Sequence, residues 1–432
     1  MNKAIVIISL FISIFANGQE DSWSLQRCVA AALENNIDIR IKQLEVIKAQ
    51  KLYTHPLLEL FPTVSLNGNH SYNFGSTIDP TTNARVSSDI QWDNFYLNAN
   101  TNLLDFNNLT LAGKEKIAIE IAKADKVVIE YQYKMELLEK YSDALFSQEL
   151  LKIQQEQLKN TIFNRDRIEK EVNIGSKPQS DLYDIQLSFS QDEKRLIEAR
   201  QLFDAQKLQL FQLMNVQGVV LDNVTLLTYF IQEKSQQIQD VDNNPEIYLS
   251  ELQLKSSMKE TARLKAANLP VLSAFYSLSS FYSSPINQPG MQIAGFKSQL
   301  DDNKNHQVGL QMIVPVFNGF RKSRQVSASK IESDRTKLIV QQQQLKVQQQ
   351  IELETTKKKQ YLELMGNLEN TLKYAKESFK TTQSKFSSGK IDAVIYTTVK
   401  NQLLSSEYDF LKNKLMMQYA DAKINLIRNN EL

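Results

Sequence analysis

Residues spaced for acid–base or electrostatic chemistry are few in this chain of 432 residues, and the clearest pair is Asp181 and Asp184. Because they lie three positions apart, both carboxylates project from one face of a predicted helix. Carboxylates that line a narrow passage attract cations. Acids near a helix N-terminus are also stabilised by the helix dipole alone, by about 0.3 to 1 kcal/mol each. The sequence favours neither interpretation over the other.

Catalytic motifs are missing from the sequence. The three histidines, His55, His70 and His306, lie far apart, and no Ser/His/Asp, HExxH, GxGxxG or P-loop spacing occurs. The single cysteine, Cys28, excludes an internal disulfide and a cysteine-based metal cluster, and we expect it to be a buried thiol. We therefore predict that the chain is not an enzyme and uses no cofactor or metal.

Charge is balanced, since 50 basic and 49 acidic residues give a net charge of +1. Nucleic-acid binders draw most of their affinity from a net basic surface, so we expect no nucleic-acid partner. A hydrophobic share of 42% excludes a disordered chain.

The N-terminus predicts a secretory signal peptide over residues 1–18. Lys3 precedes the apolar run AIVIISLFISIFA (residues 4–16), and Ala16 and Gly18 offer small residues for cleavage. The run is shorter than the roughly 20 residues that a membrane-spanning helix needs, and no longer apolar run follows it. We expect a mature protein without a transmembrane helix.

Stretches without glycine or proline predict long helices. The first extends between Gly113 and Gly175 and would be ~90 Å long at about 1.5 Å per residue. Its apolar residues recur at alternating steps of four and three, as in a coiled-coil seam that only Ser142 interrupts: Ile117, Ile121, Ala124, Val128, Tyr131, Met135, Leu138 and Leu145.

The sequence also repeats itself, because NNIDIRI (35–41) matches NNPEIYL (243–249) and NIGSK (173–177) matches SSGKI (387–391). Each copy is predicted to contain a helix, two strands and a long helical hairpin. The predicted organisation is a first repeat over 19–214, a linker over 215–242 and a second repeat over 243–432.

Four segments alternate in the manner of bilayer-spanning strands, each near the ~9 to 11 residues that a tilted strand needs. A spanning sheet must close into a barrel, because an unpaired backbone group in lipid costs several kcal/mol. Two chains would supply eight strands and a barrel filled by side chains, whereas three would supply twelve and a water-filled lumen. The predicted strands are residues 62–75, 92–104, 270–282 and 306–317.

The polar faces of these strands favour the larger barrel. They carry residues such as Asn98, Asn100 and Gln307, which suit water better than a packed core. We therefore predict that three chains share one barrel. The polar loops at about 76–91 and 283–305 would face outward.

Aromatic residues cluster at the ends of the predicted strands, as in an interfacial girdle against outer-membrane lipid. The alternative is that they form the core of a soluble sheet. The candidate girdle consists of Tyr72, Phe74, Trp92, Phe95, Tyr276 and Tyr282.

Two glycine turns predict the tips of the helical hairpins. In VNIGSKPQSDLYDIQ (172–186), Gly175 can adopt a positive φ at a helix C-terminus, and Pro178 suits the start of the next helix. Gly389 occupies the corresponding position in the second repeat.

With these motifs in this order, the chain resembles the TolC-like outer-membrane efflux factor family over nearly its whole mature length. The resemblance rests on the two NN-x-x-I/L openings, on LFP and NLP before the first strand of each repeat, on LLDFN and VPVFNGFR after the second, and on the two tip glycines. It implies a mainly α-helical protein with membrane β-structure, whose homotrimer forms a 12-strand barrel on a 12-helix periplasmic tunnel.

The resemblance also implies a function. The chain would be an outer-membrane channel that receives substrates from an inner-membrane pump of the RND or ABC type through a periplasmic adaptor, in efflux or type I secretion. The exported cargo and the particular pump stay open. The alternative is a periplasmic coiled-coil adaptor or scaffold without channel activity, although such a protein would not need bilayer-length strands.

Within this resemblance the tips carry the functional residues. Family members place a carboxylate pair at the periplasmic constriction, usually after the tip of the second repeat. Here the same spacing, six and nine residues, follows Gly175 and assigns the aperture to Asp181 and Asp184, whereas the second repeat has Ile395 and Thr398. The sequence does not decide which of the two tips forms this constriction. The residues expected to dock on the adaptor are Gly175, Ser176, Lys177, Gly389, Lys390 and Asp392.

Overall fold

The computed structural model describes residues 21–78, 83–87, 89–216, 218–228, 243–286 and 293–432. The predicted signal peptide and residues 217 and 229–242 of the predicted linker lie outside these ranges. The helices within them are α1 (Leu25–Asn35), α2 (Ile37–Leu52), α3 (Phe106–Asn173), α4 (Gln179–Met214), α5 (Pro245–Ala266), α6 (Phe296–Asp302), α7 (Arg321–Ser387) and α8 (Ala393–Asn429). The strands are β1 (Asp21–Trp23), β2 (Thr63–Asn73), β3 (Ser76–Ile78), β4 (Arg85–Ser87), β5 (Ile90–Leu104), β6 (Val224–Leu226), β7 (Val271–Pro285) and β8 (Asn305–Ile313).

Two compact units divide the chain. The helical unit comprises the described residues of 1–43, 124–249 and 341–432, and the sheet unit those of 44–123 and 250–340. None of the described helices is both long enough and apolar enough to cross a membrane. The predicted order of long helical hairpins and four strands is confirmed, whereas the boundaries of the two sequence repeats stay a prediction.

The core of the helical unit forms where residues of α1, α3 and α4 pack together. Cys28 is fully buried there, and the rings of Trp23 and Phe211 meet edge-on with 4.9 Å between their centroids. Burial raises the pKa of the Cys28 thiol to about 12, so the expected buried thiol is confirmed. The seam predicted along α3 is buried at Ala124, Val128, Tyr131, Leu138 and Leu145.

A parallel pair of short strands, β1 and β6, joins two distant parts of the chain. The Tyr141 hydroxyl on α3 lies 2.8 Å from the carbonyl oxygen of Trp23 and 2.6 Å from that of Leu227. The Gln148 side chain donates to the carbonyl of Leu226 at 2.9 Å and accepts from its amide at 2.8 Å. Sequence analysis missed this sheet, because strands of three residues are too short to show a period.

The sheet unit contains a four-stranded antiparallel sheet in the order β2-β5-β7-β8. All four predicted strands are present, with shifted ends. The strand expected over 306–317 ends at Ile313, since Pro315 has no N–H to continue a ladder. Among the described residues, β2 and β8 each pair on one side only, so the sheet has two open edges.

Short elements occupy the two predicted polar loops. β3 and β4 form a hairpin within the first, and α6 lies within the second. The buried side chain of Gln299 on α6 accepts from the amide of Ser283 and donates to its carbonyl, both at 3.0 Å. Residues 79–82, 88 and 287–292 of these loops are outside the described ranges.

Candidate channel wall and helical tips

The strand register gives the sheet two different faces. Ser71, Trp92 and Ser283 are cross-strand neighbours on one of them, and successive residues of a strand alternate between faces. On this face, which we call the polar face, the described strands carry no Asp, Glu, Lys, Arg or His. Between its ends it consists of Thr63, Ser65, Asn67, Asn69, Ser71 and Asn73 on β2, Trp92, Asn94, Tyr96, Asn98, Asn100 and Asn102 on β5, Ser273, Phe275, Ser277, Ser279, Phe281 and Ser283 on β7, and Asn305, Gln307, Gly309 and Gln311 on β8.

The opposite face, which we call the apolar face, is rich in aliphatic side chains. Val308 is 82% exposed and Leu310 68% exposed in the single chain. A sheet with one apolar and one polar face is typical of barrel strands that separate lipid from water. The aliphatic residues of this face include Val64, Leu66, Leu97, Leu272, Leu278, Val308, Leu310 and Met312.

Two histidines, each hydrogen-bonded to a residue of the neighbouring strand, also lie on the apolar face. Nδ1 of His70 hydrogen-bonds the carboxylate of Asp93, which accepts a second hydrogen bond from Gln91 at 3.0 Å. The Tyr276 hydroxyl lies 2.7 Å from Nδ1 of His306. Each strand histidine therefore has a residue of the neighbouring strand as its partner.

The candidate girdle is divided between the two faces. Tyr72, Phe95, Tyr276 and Tyr282 lie on the apolar face, and Phe74 directly follows β2. Trp92 lies on the polar face, because it pairs with Ser71 and Ser283. Trp92 is therefore separated from the four girdle residues of the apolar face, because the register and not proximity to a strand end determines the face. The girdle stays a prediction.

Both hairpin tips of the helical unit end in capped glycine turns. Gly175 has a φ of +76° and Gly389 a φ of +70°, a conformation that side chains with a Cβ disfavour. A backbone hydrogen bond to the carbonyl five residues back closes each turn as a Schellman cap, so the predicted turns are confirmed. The bonds run from Ser176 N to Glu171 O at 2.8 Å and from Lys390 N to Lys385 O at 3.0 Å.

The predicted aperture residues lie at the start of α4, as their spacing required. A carboxylate oxygen of Asp181 is 2.8 Å from Nζ of Lys177, and their side chains are 12% and 10% exposed. Asp184 is half-buried. The charge of Asp181 is thus compensated within one chain, and the aperture role stays a prediction. At the other tip, the carboxylate of Asp392 accepts from the amide of Ile395 at 2.9 Å and caps α8.

An aromatic and cationic cluster links the two tips within one chain. The rings of Phe386 and Tyr396 stack with 4.5 Å between centroids, and the guanidinium of Arg167 lies 4.8 Å from the Phe386 ring. Nη1 of Arg167 also donates to the carbonyls of Phe386 and Ser387 at 3.3 and 3.1 Å, at the C-terminus of α7. Burial raises the pKa of Tyr396 to about 12. Sequence analysis missed these residues, because nothing local relates Arg167 to Phe386.

A buried ion pair joins three helices farther along α8. Nζ of Lys400 lies 2.5 Å from the carboxylate of Asp192 on α4, and both side chains are 1% exposed. Lys400 also donates to Ser188 at 2.6 Å, and Asp192 accepts from Thr161 of α3 at 2.6 Å. Burial lowers the pKa of Lys400. Because separating the pair would leave a buried charge uncompensated, it holds α8 to the α3–α4 hairpin.

Comparison with known proteins agrees with this architecture. The family model "Outer membrane efflux protein" matches residues 28–216 and 239–428. Among solved structures, the outer-membrane channel OprN is 17% identical, with a TM-score of 0.74 and coverage of 94% of this chain and 89% of that one. The CmeC outer membrane channel of Campylobacter jejuni is 15% identical, with a TM-score of 0.74 and coverage of 94% and 85%. The open state of the MtrE outer membrane channel of Neisseria gonorrhoeae is 16% identical, with a TM-score of 0.70 and coverage of 94% and 89%. A search of curated proteins found no significant match.

The fold and the two-faced sheet are those of an outer-membrane channel. The chain belongs to the outer membrane efflux protein family. It is therefore a channel component of an efflux system, located in the outer membrane with helices that extend into the periplasm. The predicted family, fold class and location are confirmed, and no finding supports the alternative of an adaptor without channel activity.

Proposed function

We propose that the channel is a homotrimer, in which three sheet units form a 12-strand barrel and three helical units form a 12-helix tunnel. The observation that carries this proposal is the sheet itself, which has an apolar face, an uncharged polar face and two open edges. β2 and β8 run in opposite directions, since every pairing in the sheet is antiparallel. The β8 edge of one copy can therefore pair with the β2 edge of the next, and closure removes every edge from lipid.

In this assembly the apolar face contacts outer-membrane lipid and the polar face lines the lumen. Tyr72, Phe95, Tyr276 and Tyr282 would form the aromatic girdle of the apolar face. Apolar side chains that stay exposed along α7, such as Leu353 and Leu362, would be buried against a neighbouring copy.

The protein acts as a duct and not as an enzyme. A periplasmic adaptor would dock on the two tips and connect the duct to an inner-membrane pump of the RND or ABC type. Ile174, 79% exposed at the first tip, supplies an apolar contact for this docking. The remaining docking residues are Gly175, Ser176, Lys177, Gly389, Lys390 and Asp392.

The aperture assignment has a direct test. Three copies of Asp181 and Asp184 would place six carboxylates around the entrance, and such a ring favours cations. In planar-bilayer recordings, the double variant Asp181→Ala/Asp184→Ala should lose cation preference, whereas Glu193→Ala, an exposed acid farther along α4, should keep it. Unchanged selectivity of the double variant would refute the aperture role.

The assembly is tested by native mass. Protein extracted with detergent from outer-membrane fractions should have, after correction for bound detergent, three times the mass of one mature chain, and it should form channels in planar bilayers. A soluble monomer recovered from the periplasm would refute both the barrel and the duct.

A further inference from the structure

We infer that the polar face carries a binding track for planar aromatic groups of the cargo, made by the rings of Trp92, Tyr96, Phe275 and Phe281. The inference rests on the proposed function, because it requires the polar face to line a water-filled lumen. It adds a chemical class of ligand and the residues that would contact it.

The register spaces the four rings along the strand direction. Phe281 pairs with Asn94, and Phe275 pairs with Asn100, so the rings occupy the levels of β5 residues 92, 94, 96 and 100. At about 3.4 Å per residue, these levels span ~27 Å along the strand, which is ~20 Å of depth at a strand tilt of about 35 to 45° and most of the hydrocarbon core. A solute crossing the barrel therefore meets an aromatic ring at successive depths.

Phe275 shows how a ring is held on the wall. A Cβ atom added to Gly309 on the neighbouring strand would lie 2.7 Å from Cζ and 2.9 Å from Cε1 of Phe275. The ring therefore lies across the backbone of β8, in space that any larger residue at position 309 would occupy. It packs against β8 but stays half-exposed, so that a planar ligand in the lumen can stack on its exposed part.

The side chains around the rings indicate what charge and which polar groups the ligand should have. The polar face carries no acidic or basic side chain, so it has no charge with which to select or repel an ion. Its hydroxyl and amide groups are partly engaged with one another, as in the 2.7 Å hydrogen bond from Ser277 to the Asn98 side chain. The chemistry fits an uncharged aromatic compound with hydrogen-bonding substituents, held weakly at several steps so that it can move on.

Two uncharged glucosides can test the track. 4-Nitrophenyl glucoside and methyl glucoside differ in the aromatic ring that one of them carries. Added to single wild-type channels in planar bilayers, the nitrophenyl compound should cause concentration-dependent interruptions of the current, and the methyl compound should not. Single-channel recording yields a result even from a variant of which few copies assemble.

Variants identify the residues responsible. Tyr96→Ser and Phe275→Ser should each weaken the apparent affinity for the nitrophenyl compound about threefold to tenfold, the usual range for losing one aromatic partner. Asn98→Ser, between them on the same face, and Tyr276→Ser, next to Phe275 on the opposite face, should leave it unchanged.

Equal effects of the two glucosides on a conducting wild-type channel would overturn the track and leave the proposed duct intact. An equal loss in Phe275→Ser and Tyr276→Ser would also overturn it. A wild-type protein that forms no channels would instead refute the proposed function on which the track rests.

Discussion

Leu310 and Gln311 are neighbours on β8 that face opposite sides of the sheet. Replacing each with arginine tests which face meets lipid and which meets water. Leu310 lies on the apolar face between Val308 and Met312, whereas Gln311 lies on the polar face opposite Ser273. If the apolar face meets lipid, Leu310→Arg places a cation in hydrocarbon. If the polar face lines the lumen, Gln311→Arg places the same cation in water.

The expected magnitudes differ widely. An arginine on the lipid face costs about 2 to 4 kcal/mol at the bilayer midplane and less toward the interface. Leu310 is level with Thr101, off the middle of β5, so three copies would cost at most roughly 6 to 12 kcal/mol per trimer. This is comparable with the total stability of about 5 to 15 kcal/mol of a typical folded domain. A surface substitution in water usually changes stability by about 0.5 kcal/mol or less, so the Gln311 variant should assemble normally.

The assay has two parts. Leu310→Arg should greatly reduce the amount of trimer in outer-membrane fractions, with Gln311→Arg at the wild-type level. In a salt gradient, the reversal potential of Gln311→Arg channels should shift toward anions, because three positive charges enter an otherwise uncharged barrel wall. Equal accumulation of both variants, or selective loss of the Gln311 variant, would refute the assignment of the two faces.

Two further predictions concern charges outside the strands. Lys400→Ala removes the buried cation of Asp192 and leaves it only the more distant, partly exposed Arg195, 3.4 Å away. This variant should lower the free energy of unfolding by up to about 3 to 5 kcal/mol in denaturant titrations, whereas Lys400→Met combined with Asp192→Asn should cost less; equal losses would contradict the role of the pair. Glu260 accepts hydrogen bonds from Arg263 and Lys114, which lower its pKa from 4.5 to about 2. Its stabilising contribution is therefore complete above pH 4.5 and is lost as the pH falls toward 2. In melting experiments across this range, Glu260→Gln should show a shallower pH dependence than the wild type, and identical slopes would count against the prediction.

Local patterns made the strands and the tips predictable. The alternation of side-chain types along β2, β5 and β8 can be read from consecutive residues. The positive φ of Gly175 and Gly389 could be expected because glycine has no Cβ. The sheet faces were also implicit in that alternation. The girdle was assigned by position along the strand, which is why Trp92 was grouped with residues of the opposite face.

Other features depend on contacts between distant parts of the chain. β1 and β6 are stabilised by Tyr141 and Gln148 on α3, and neither strand has a pattern of its own. Lys400 and Asp192 occur in helices rich in charged residues, where a buried lysine looks like any solvated one. Only packing of three helices around the pair distinguishes it.

The two open edges of the sheet have a genetic consequence under the proposed threefold assembly. Every chain offers β8 to one neighbour and β2 to the other, a head-to-tail interface in which one defective edge leaves the ring unclosed. If a cell makes a chain with a damaged β8 edge in equal amount with the normal chain, and the two mix at random, only about one-eighth of the rings contain normal chains alone. Such an allele would be dominant over the wild type, whereas a deletion of the whole gene would be recessive.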